Sequence, residues 1–356
     1  MNARCLASAL VALSMICPAG SAYPQGFAGL GSDAEGFAVP QEGVALSFPT
    51  DHGAHPDYRI EWWYVTANLV GEDGKQYGAQ WTLFRSAMAP GDRPGFADPQ
   101  IWIGHAAVTT ENHQYVGERL GRGGVGQANV VALPFQAWID TWQMKGSQNV
   151  DREALANIEL NADGPDFSFR LNLTATGPLV LQGDHGFSVK SENGQSSYYY
   201  SQPFYQVSGA LKIDGADIKV SGKAWLDREW SSQPLAANQT GWDWFSLHLD
   251  TGDKVMAFRL RDDQDGYISA NWISADGRTT PLLGAALLME PVRRATVNGR
   301  QMPVAWRIRI PGKSVDIITQ PLNDQAWMTT STPYWEGPIA FTGTTSGVGY
   351  LEMTGY

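Results

Sequence analysis

Cysteine is nearly absent from this 356-residue chain: there are two, Cys5 and Cys17, both close to the start. If that start is cleaved as a leader, no disulfide, thiolate metal site or thiol nucleophile remains, and stability has to come from an apolar core. Charge is also scarce, at 17% of residues, and 36 acidic against 25 basic side chains leave a formal net charge of −11. No basic run stands out to neutralise a phosphate backbone, which argues against a nucleic-acid partner. The chain has no Gly-x-Ser-x-Gly elbow, phosphate-binding loop or dinucleotide fingerprint, so serine-hydrolase, nucleotide and nicotinamide readings lose their main support and no cofactor is expected. Beyond the first residues no apolar run is long enough to cross a bilayer as a helix.

What is abundant is glycine (39), proline (20) and tryptophan (14). That mix suits short strands, tight turns and aromatic-lined cavities, and it predicts an all-β protein. Residues 1–22 read as a secretory leader: Arg4 supplies a positive start, Cys5 to Cys17 is mostly apolar, and Gly20-Ser21-Ala22 offers small residues for cleavage. A retained anchor is the alternative, but about 13 apolar residues fall short of the roughly 20 that span a bilayer. The mature chain is therefore expected to begin at Tyr23 and to be periplasmic or secreted. Residues 23–57 read as an extended lead-in and loop, followed by two β-barrels over 58–205 and 206–356.

Runs such as Trp81 to Arg85, Phe167 to Leu173 and Trp306 to Ile310 place apolar residues at period two, the signature of half-buried strands. Between strands lie Asp73-Gly74, Asp163-Gly164, Asn193-Gly194, Asp214-Gly215, Asp265-Gly266, Asp276-Gly277 and Asn298-Gly299, dipeptides suited to hairpin turns. A short helix is expected around Asp151 to Leu160. The segment Glu61 to Leu69 also aligns without a gap on Gly241 to Leu249, matching Trp62 with Trp242, Tyr64 with Trp244 and Leu69 with Leu249. Each copy leads through a turn to a strand ending in arginine, Arg85 in the first and Arg259 or Arg261 in the second. Two copies of one unit imply two similar barrels or half-barrels in tandem.

The strongest local feature is Gly222 to Trp230. On a strand, Trp225, Asp227 and Glu229 share one face while Leu226, Arg228 and Trp230 share the other. Inside an aromatic pocket, desolvation and mutual repulsion raise at least one carboxyl pKa and keep a proton on it, as a general acid requires. The competing role is structural, with both carboxylates paired to Arg59, Arg85, Arg259 or Arg261. Upstream, Tyr198 and Tyr200 share a face, suited to lining a ligand, stabilising a cation or relaying a proton, or simply to packing. Trp62, Tyr64, Trp242, Trp244 and Arg85 complete the candidate lining with Trp225 and Tyr198. Asp51 to Asp57 holds two histidines and two carboxylates, but Gly53 and Pro56 make it a loop and no His-rich segment follows. A hydrogen-bonded lid or plug is expected there in place of a metal site.

Phe48 to Pro56, Glu61 to Tyr64, Gly222 to Trp230, Gly241 to Trp244, Tyr334 to Pro338 and the closing Gly349 to Tyr356 together resemble the AttH-like, lipocalin-like family. The family includes carotenoid 1,2-hydratase, exported proteins described as hydrolases, and fungal cyclisation enzymes. The resemblance implies a pair of calycin-type barrels and, from the hydratase branch, Asp227 as proton donor two residues after an aromatic. The expected function is binding of a hydrophobic isoprenoid or lipid. In the catalytic version, Asp227 protonates an isolated double bond, Trp225 and Tyr200 stabilise the cation, and Glu229 orients Asp227 or the attacking water. A non-catalytic carrier serving an envelope ABC transporter is the alternative, and a hydrolase with two opposed carboxylates is the third.

Overall fold

Period-two alternation builds the outer walls of the protein. In the computed structural model, which describes residues 34–147 and 153–356, Phe167, Phe169, Leu171 and Leu173 point inward while Arg170, Asn172 and Thr174 face solvent. The expected leader and the first part of the lead-in lie outside the described residues. The first sheet comprises β1 (Ile60–Gly71), β2 (Gln76–Ala87), β3 (Gln100–Thr109), β4 (Gln114–Arg122), β5 (Ala128–Ala132), β6 (Phe135–Ile139), β7 (Trp142–Gly146), β8 (Asn157–Asp163), β9 (Phe167–Ala175), β10 (Val180–Leu181), β11 (Phe187–Val189), β12 (Ser196–Ile213) and β13 (Ala216–Ser231). The second comprises β14 (Gly241–Leu249), β15 (Lys254–Arg261), β16 (Tyr267–Ile273), β17 (Thr279–Leu282), β18 (Leu288–Val297), β19 (Arg300–Ile310), β20 (Val315–Pro321), β21 (Trp327–Met328), β22 (Tyr334–Gly343) and β23 (Gly347–Met353).

The two sheets share one topology. The first runs β4-β3-β2-β1-β13-β12-β9-β8-β7-β6-β5 and the second β17-β16-β15-β14-β23-β22-β20-β19-β18, so each opening strand lies between its successor and the last strand of its sheet. The aligned segments are these opening strands, β1 and β14, and their registers agree: Tyr64 lies opposite Asp227, and Trp244 opposite Glu352. The first sheet curls into a barrel, bringing β3 and β4 against β6 so closely that a Cβ on Gly104 would sit 2.8 Å from Ile139; the second is a half-barrel. Asp214-Gly215 and Asn298-Gly299 turn their hairpins with both residues at positive φ, the type I′ geometry that these dipeptides favour.

Two expectations shift. The segment around Asp151 to Leu160 is not helical where described, because Ile158, Leu160 and Ala162 alternate inward and form β8. The division expected between 205 and 206 falls inside β12; both β12 and β13 complete the first sheet, and the chain passes to the second between Ser231 and Gly241.

Strands at the junction of the sheets lack alternation because both their faces are covered. On β1, Trp63, Val65, Ala67 and Leu69 fill the barrel, while Trp62 and Tyr64 pack outward into a separate cluster with Tyr199, Trp225, Trp244 and Phe258. The barrel end is stoppered by the loop around Thr50–His52. Trp63 Nε1 donates to the His52 carbonyl (2.9 Å), Arg228 to that of Gly53 (2.6 Å) and Arg85 to those of His55 and Tyr58 (2.8 Å each). Beneath it Glu61 is fully buried and accepts from both Arg85 and Arg228. Burial pushes its carboxyl up, but the two guanidiniums outweigh that and hold it well below the usual carboxylate range.

Removing the carboxylate leaves two buried cations without an anion. Glu61→Leu is expected to cost about 3–5 kcal/mol in urea unfolding, and a loss below about 1 kcal/mol, the scale of an exposed pair, would contradict this account.

Candidate functional site

Between the two sheets lies a cavity of about 470 Å³, within the range of small-molecule sites. Trp62 and Tyr64 from β1, Trp242 and Trp244 from β14, and Phe258 and Leu260 from β15 supply its apolar surface. Asp227 and Glu229 enter from β13, and Glu352 from β23. The two halves of the internal repeat thus face each other across one space.

Asp227 is almost fully buried and, among the described residues, has no cationic partner in its hydrogen bonds. Its Oδ1 accepts from Ser201 Oγ (2.5 Å) and Trp225 Nε1 (2.6 Å), and its Oδ2 from Tyr199 Oη (2.7 Å). Desolvation pushes the carboxyl up to about 7, although the three donors pull the other way. Because Oδ1 already takes two donors, the acid proton belongs on Oδ2, beside Tyr199. That tyrosine is fixed in turn by Trp244, whose Nε1 donates to its oxygen across the cleft (3.2 Å).

Glu229 has a different environment. It accepts from Ser197 Oγ (2.5 Å) and pairs with Lys190 Nζ (2.7 Å), an ammonium that also lies over the rings of Phe258 (4.3 Å) and Tyr199 (4.9 Å). Its bonds run to those groups and not to Asp227, so the expected role of orienting Asp227 is not what the geometry shows. On the opposite wall Trp242 Nε1 donates to Glu352 (2.6 Å), and desolvation lifts that carboxyl to about 7. Glu336, directly opposite Glu352 on β22, accepts from Tyr64 Oη (2.5 Å) and is pushed well above the usual range by burial and then by Glu352. From this pair a chain of contacts leads outward: Tyr334 bonds to Glu336 and to His105 Nδ1 (3.1 Å), and His105 Nε2 meets the partly exposed Glu118 (3.3 Å).

Of the residues expected from sequence, the structure brings Asp227, Glu229, Trp62, Tyr64, Trp242 and Trp244 to one cavity. Trp225 stands behind them, fully buried, as a donor to Asp227. Three others are elsewhere. Tyr198 and Tyr200 point into the barrel, where Tyr200 Oη bonds to His52 Nδ1 (2.7 Å) and Tyr198 Oη donates to the Gln41 carbonyl (3.1 Å). Their strand pairs with β13 so that Ser201 opposes Asp227 and Tyr199 opposes Glu229; residues facing each other across the ladder share a face, and that face holds the odd-numbered positions. Arg85 is also inside the barrel, neutralising Glu61. The histidines of the expected lid or plug are engaged there too: His52 bridges Tyr200 and Glu153, and His55 stacks on Trp230 at 4.1 Å beside Glu61.

The sequence reading missed Tyr199, Ser201, Lys190 and Glu352. For Glu352 a signal exists, since Gly222-Lys223-Ala224-Trp225-Leu226-Asp227 and Gly347-Val348-Gly349-Tyr350-Leu351-Glu352 share a Gly-x-small-aromatic-Leu-acid pattern.

The AttH-like family model matches residues 39–356. The chain belongs to the AttH-like family. Among solved structures, an AttH protein from Nitrosomonas europaea is 36% identical, with a TM-score of 0.79 over 90% of this chain and 100% of that one. Kievitone hydratase from Nectria haematococca shares the fold at 17% identity and a TM-score of 0.67, covering 90% of this chain and 96% of the hydratase. The protein CghA shares it more distantly, at 12% identity and a TM-score of 0.52 over 91% and 97% of the two chains. No curated protein sequence matches. This AttH-like chain is therefore an all-β, lipocalin-like protein whose paired sheets enclose the cavity.

Burying Asp227 without a cation has a stability signature. Its carboxyl titrates near 7 in the fold against 3.8 in an exposed chain, so the native state binds the extra proton between those values and stability falls as pH rises across that window. Asn keeps the contacts, because Tyr199 Oη can accept from its amide. Asp227→Asn should therefore be more stable than wild type near pH 8, by about 2–4 kcal/mol, with the difference closing toward pH 4 in parallel thermal melts. Lower stability of the variant at pH 8 would show that Asp227 serves as a structural anion.

Proposed function

We propose that this AttH-like protein hydrates an isolated carbon–carbon double bond of an apolar, isoprenoid-like molecule, or runs the reverse dehydration, with Asp227 as the acid. One observation carries the reading: a carboxyl that titrates near 7 among neutral donors faces a cavity walled by aromatic rings. In the forward direction the Oδ2 proton passes to one alkene carbon, leaving Asp227 ionised and a cation on the other carbon. The faces of Trp62, Trp242 and Trp244 offer that cation the negative side of their quadrupoles. A water oxygen then bonds to the cationic carbon and loses a proton, giving the alcohol, and a proton returned to Asp227 closes the cycle. The Lys190–Glu229 pair supplies polar atoms at one side of the apolar space. A hydratase on the same fold supports the reaction class.

The test is incubation of the protein and of Asp227→Asn with an acyclic carotenoid and with envelope lipid extract in oxygen-18 water, followed by mass spectrometry. Wild type should yield labelled alcohol, and the variant should lose about 100-fold or more of the rate. Lipid that co-purifies with both proteins and never acquires label would overturn the hydratase in favour of a carrier of hydrophobic cargo, the class to which a transporter partner belongs.

A further inference from the structure

The internal repeat supplies the cavity with a second acid–base position. Tyr64 of β1 corresponds to Trp244 of β14, and their cross-strand neighbours on the closing strands are Asp227 and Glu352. The correspondence continues along both strands: Trp225 lies opposite Thr66 and Tyr350 opposite Ser246, the same positions of the repeat. Each carboxyl accepts from a tryptophan Nε1, Trp225 for Asp227 and Trp242 for Glu352, at the same distance of 2.6 Å. Each aromatic of the matched pair also reaches across to the other sheet, Trp244 to Tyr199 and Tyr64 to Glu336. The sheets differ at one telling place: Ser201 faces Asp227, whereas the carboxyl of Glu336 faces Glu352.

We propose that Glu352 is a second catalytic residue of this cavity, the group that takes a proton from the attacking water while Asp227 protonates the alkene carbon. The step rests on the hydration reading above; the two-acid site itself does not. In that step the water oxygen forms its bond to the cationic carbon, one O–H bond breaks, and its proton goes to Glu352. Glu336, holding a proton beside it, keeps the pair from carrying two negative charges. Glu352 gives its proton to solvent on product release, with Glu336, Tyr334, His105 and Glu118 marking a route outward, and Asp227 takes one up. For dehydration the roles reverse, Glu352 delivering the proton to the leaving hydroxyl and Asp227 removing one from carbon.

The groups around Glu352 are Trp242 and Trp244 on β14, Glu336 and Tyr334 on β22, Tyr64 on β1, and, from the walls of the cavity, Asp227, Glu229, Lys190, Arg59 and His105. Lys190 is committed to Glu229, so a cation placed between Asp227 and Glu352 draws protons from those two acids. Decyltrimethylammonium is a suitable probe, being a lipophilic cation whose charge does not titrate. Calorimetry near pH 6.5 in buffers of different ionisation enthalpy reads the protons released on binding. Wild type should release protons from both acids; Glu352→Gln and Asp227→Asn should each lose part of the release, and the double variant nearly all of it. In a second variant, Glu336→Gln, an amide replaces a carboxyl that already holds its proton beside Glu352, so the release on binding should stay as in wild type, which separates loss of the Glu352 proton from disturbance of the Tyr64–Glu336 contact. Release unchanged in Glu352→Gln, or lost to the same extent in Glu336→Gln, or no binding at any pH, would overturn the second site. Absence of oxygen-18 product together with release shared by both acids would sink the hydratase but keep the two-acid cavity. Labelled product formed at full rate by Glu352→Gln would sink the catalytic role of Glu352 alone.

Discussion

The architecture depends on keeping carboxyl groups at the sheet junction out of water without giving them arginines. Each sheet stabilises the other's acidic wall through a reciprocal contact: Trp244 fixes the tyrosine that bonds Asp227, and Tyr64 bonds Glu336 beside Glu352. Tyr64 and Trp244 also meet edge to face, with ring centroids 5.4 Å apart. Separate the sheets and these carboxyls would be hydrated, their pKa values would return toward ordinary ones, and the apolar lining would be lost with them.

The molecule contains both solutions to burying an acid. Glu61 and Asp243 face the interiors of the two sheets and are neutralised by Arg85 with Arg228 and by Arg259 with Arg261. Asp227 and Glu352 face the cavity, and among the described residues their hydrogen-bond donors are neutral. The first arrangement fixes a negative charge in place and serves the fold. The second leaves the charge state close to balance near neutral pH, which costs stability and is what proton transfer needs.

Much of this was legible in the amino-acid sequence. Alternation in Phe167 to Leu173, the Asp-Gly and Asn-Gly turns and the Glu61 to Leu69 repeat carry the all-β fold, because strand faces and tight turns are local properties. The shared face of Trp225, Asp227 and Glu229 followed from strand geometry alone. Tyr199 was missed because Tyr198-Tyr199-Tyr200 offers a ring to either face, and only pairing with β13 decides which face meets the cavity. Arg85 was misplaced for a related reason: Trp62-Trp63-Tyr64 is apolar on both sides, so nothing local distinguishes the barrel interior, where Glu61 waits, from the cleft. The extent of the first sheet was equally hidden, since β12 and β13 are claimed by it through pairing with β9 and β1.

The central claim is that Asp227 keeps its proton well above the ordinary carboxylate range, until pH approaches about 7, while the arginine-paired Glu61 does not. Neutron diffraction from crystals exchanged into heavy water at about pH 5.5, where an ordinary carboxyl is ionised and one titrating near 7 is not, measures this directly. The account predicts a deuteron on Asp227 Oδ2, within reach of Tyr199, and a bare carboxylate at Glu61. A bare Asp227 carboxylate with a cation or charged donor beside it would contradict the account.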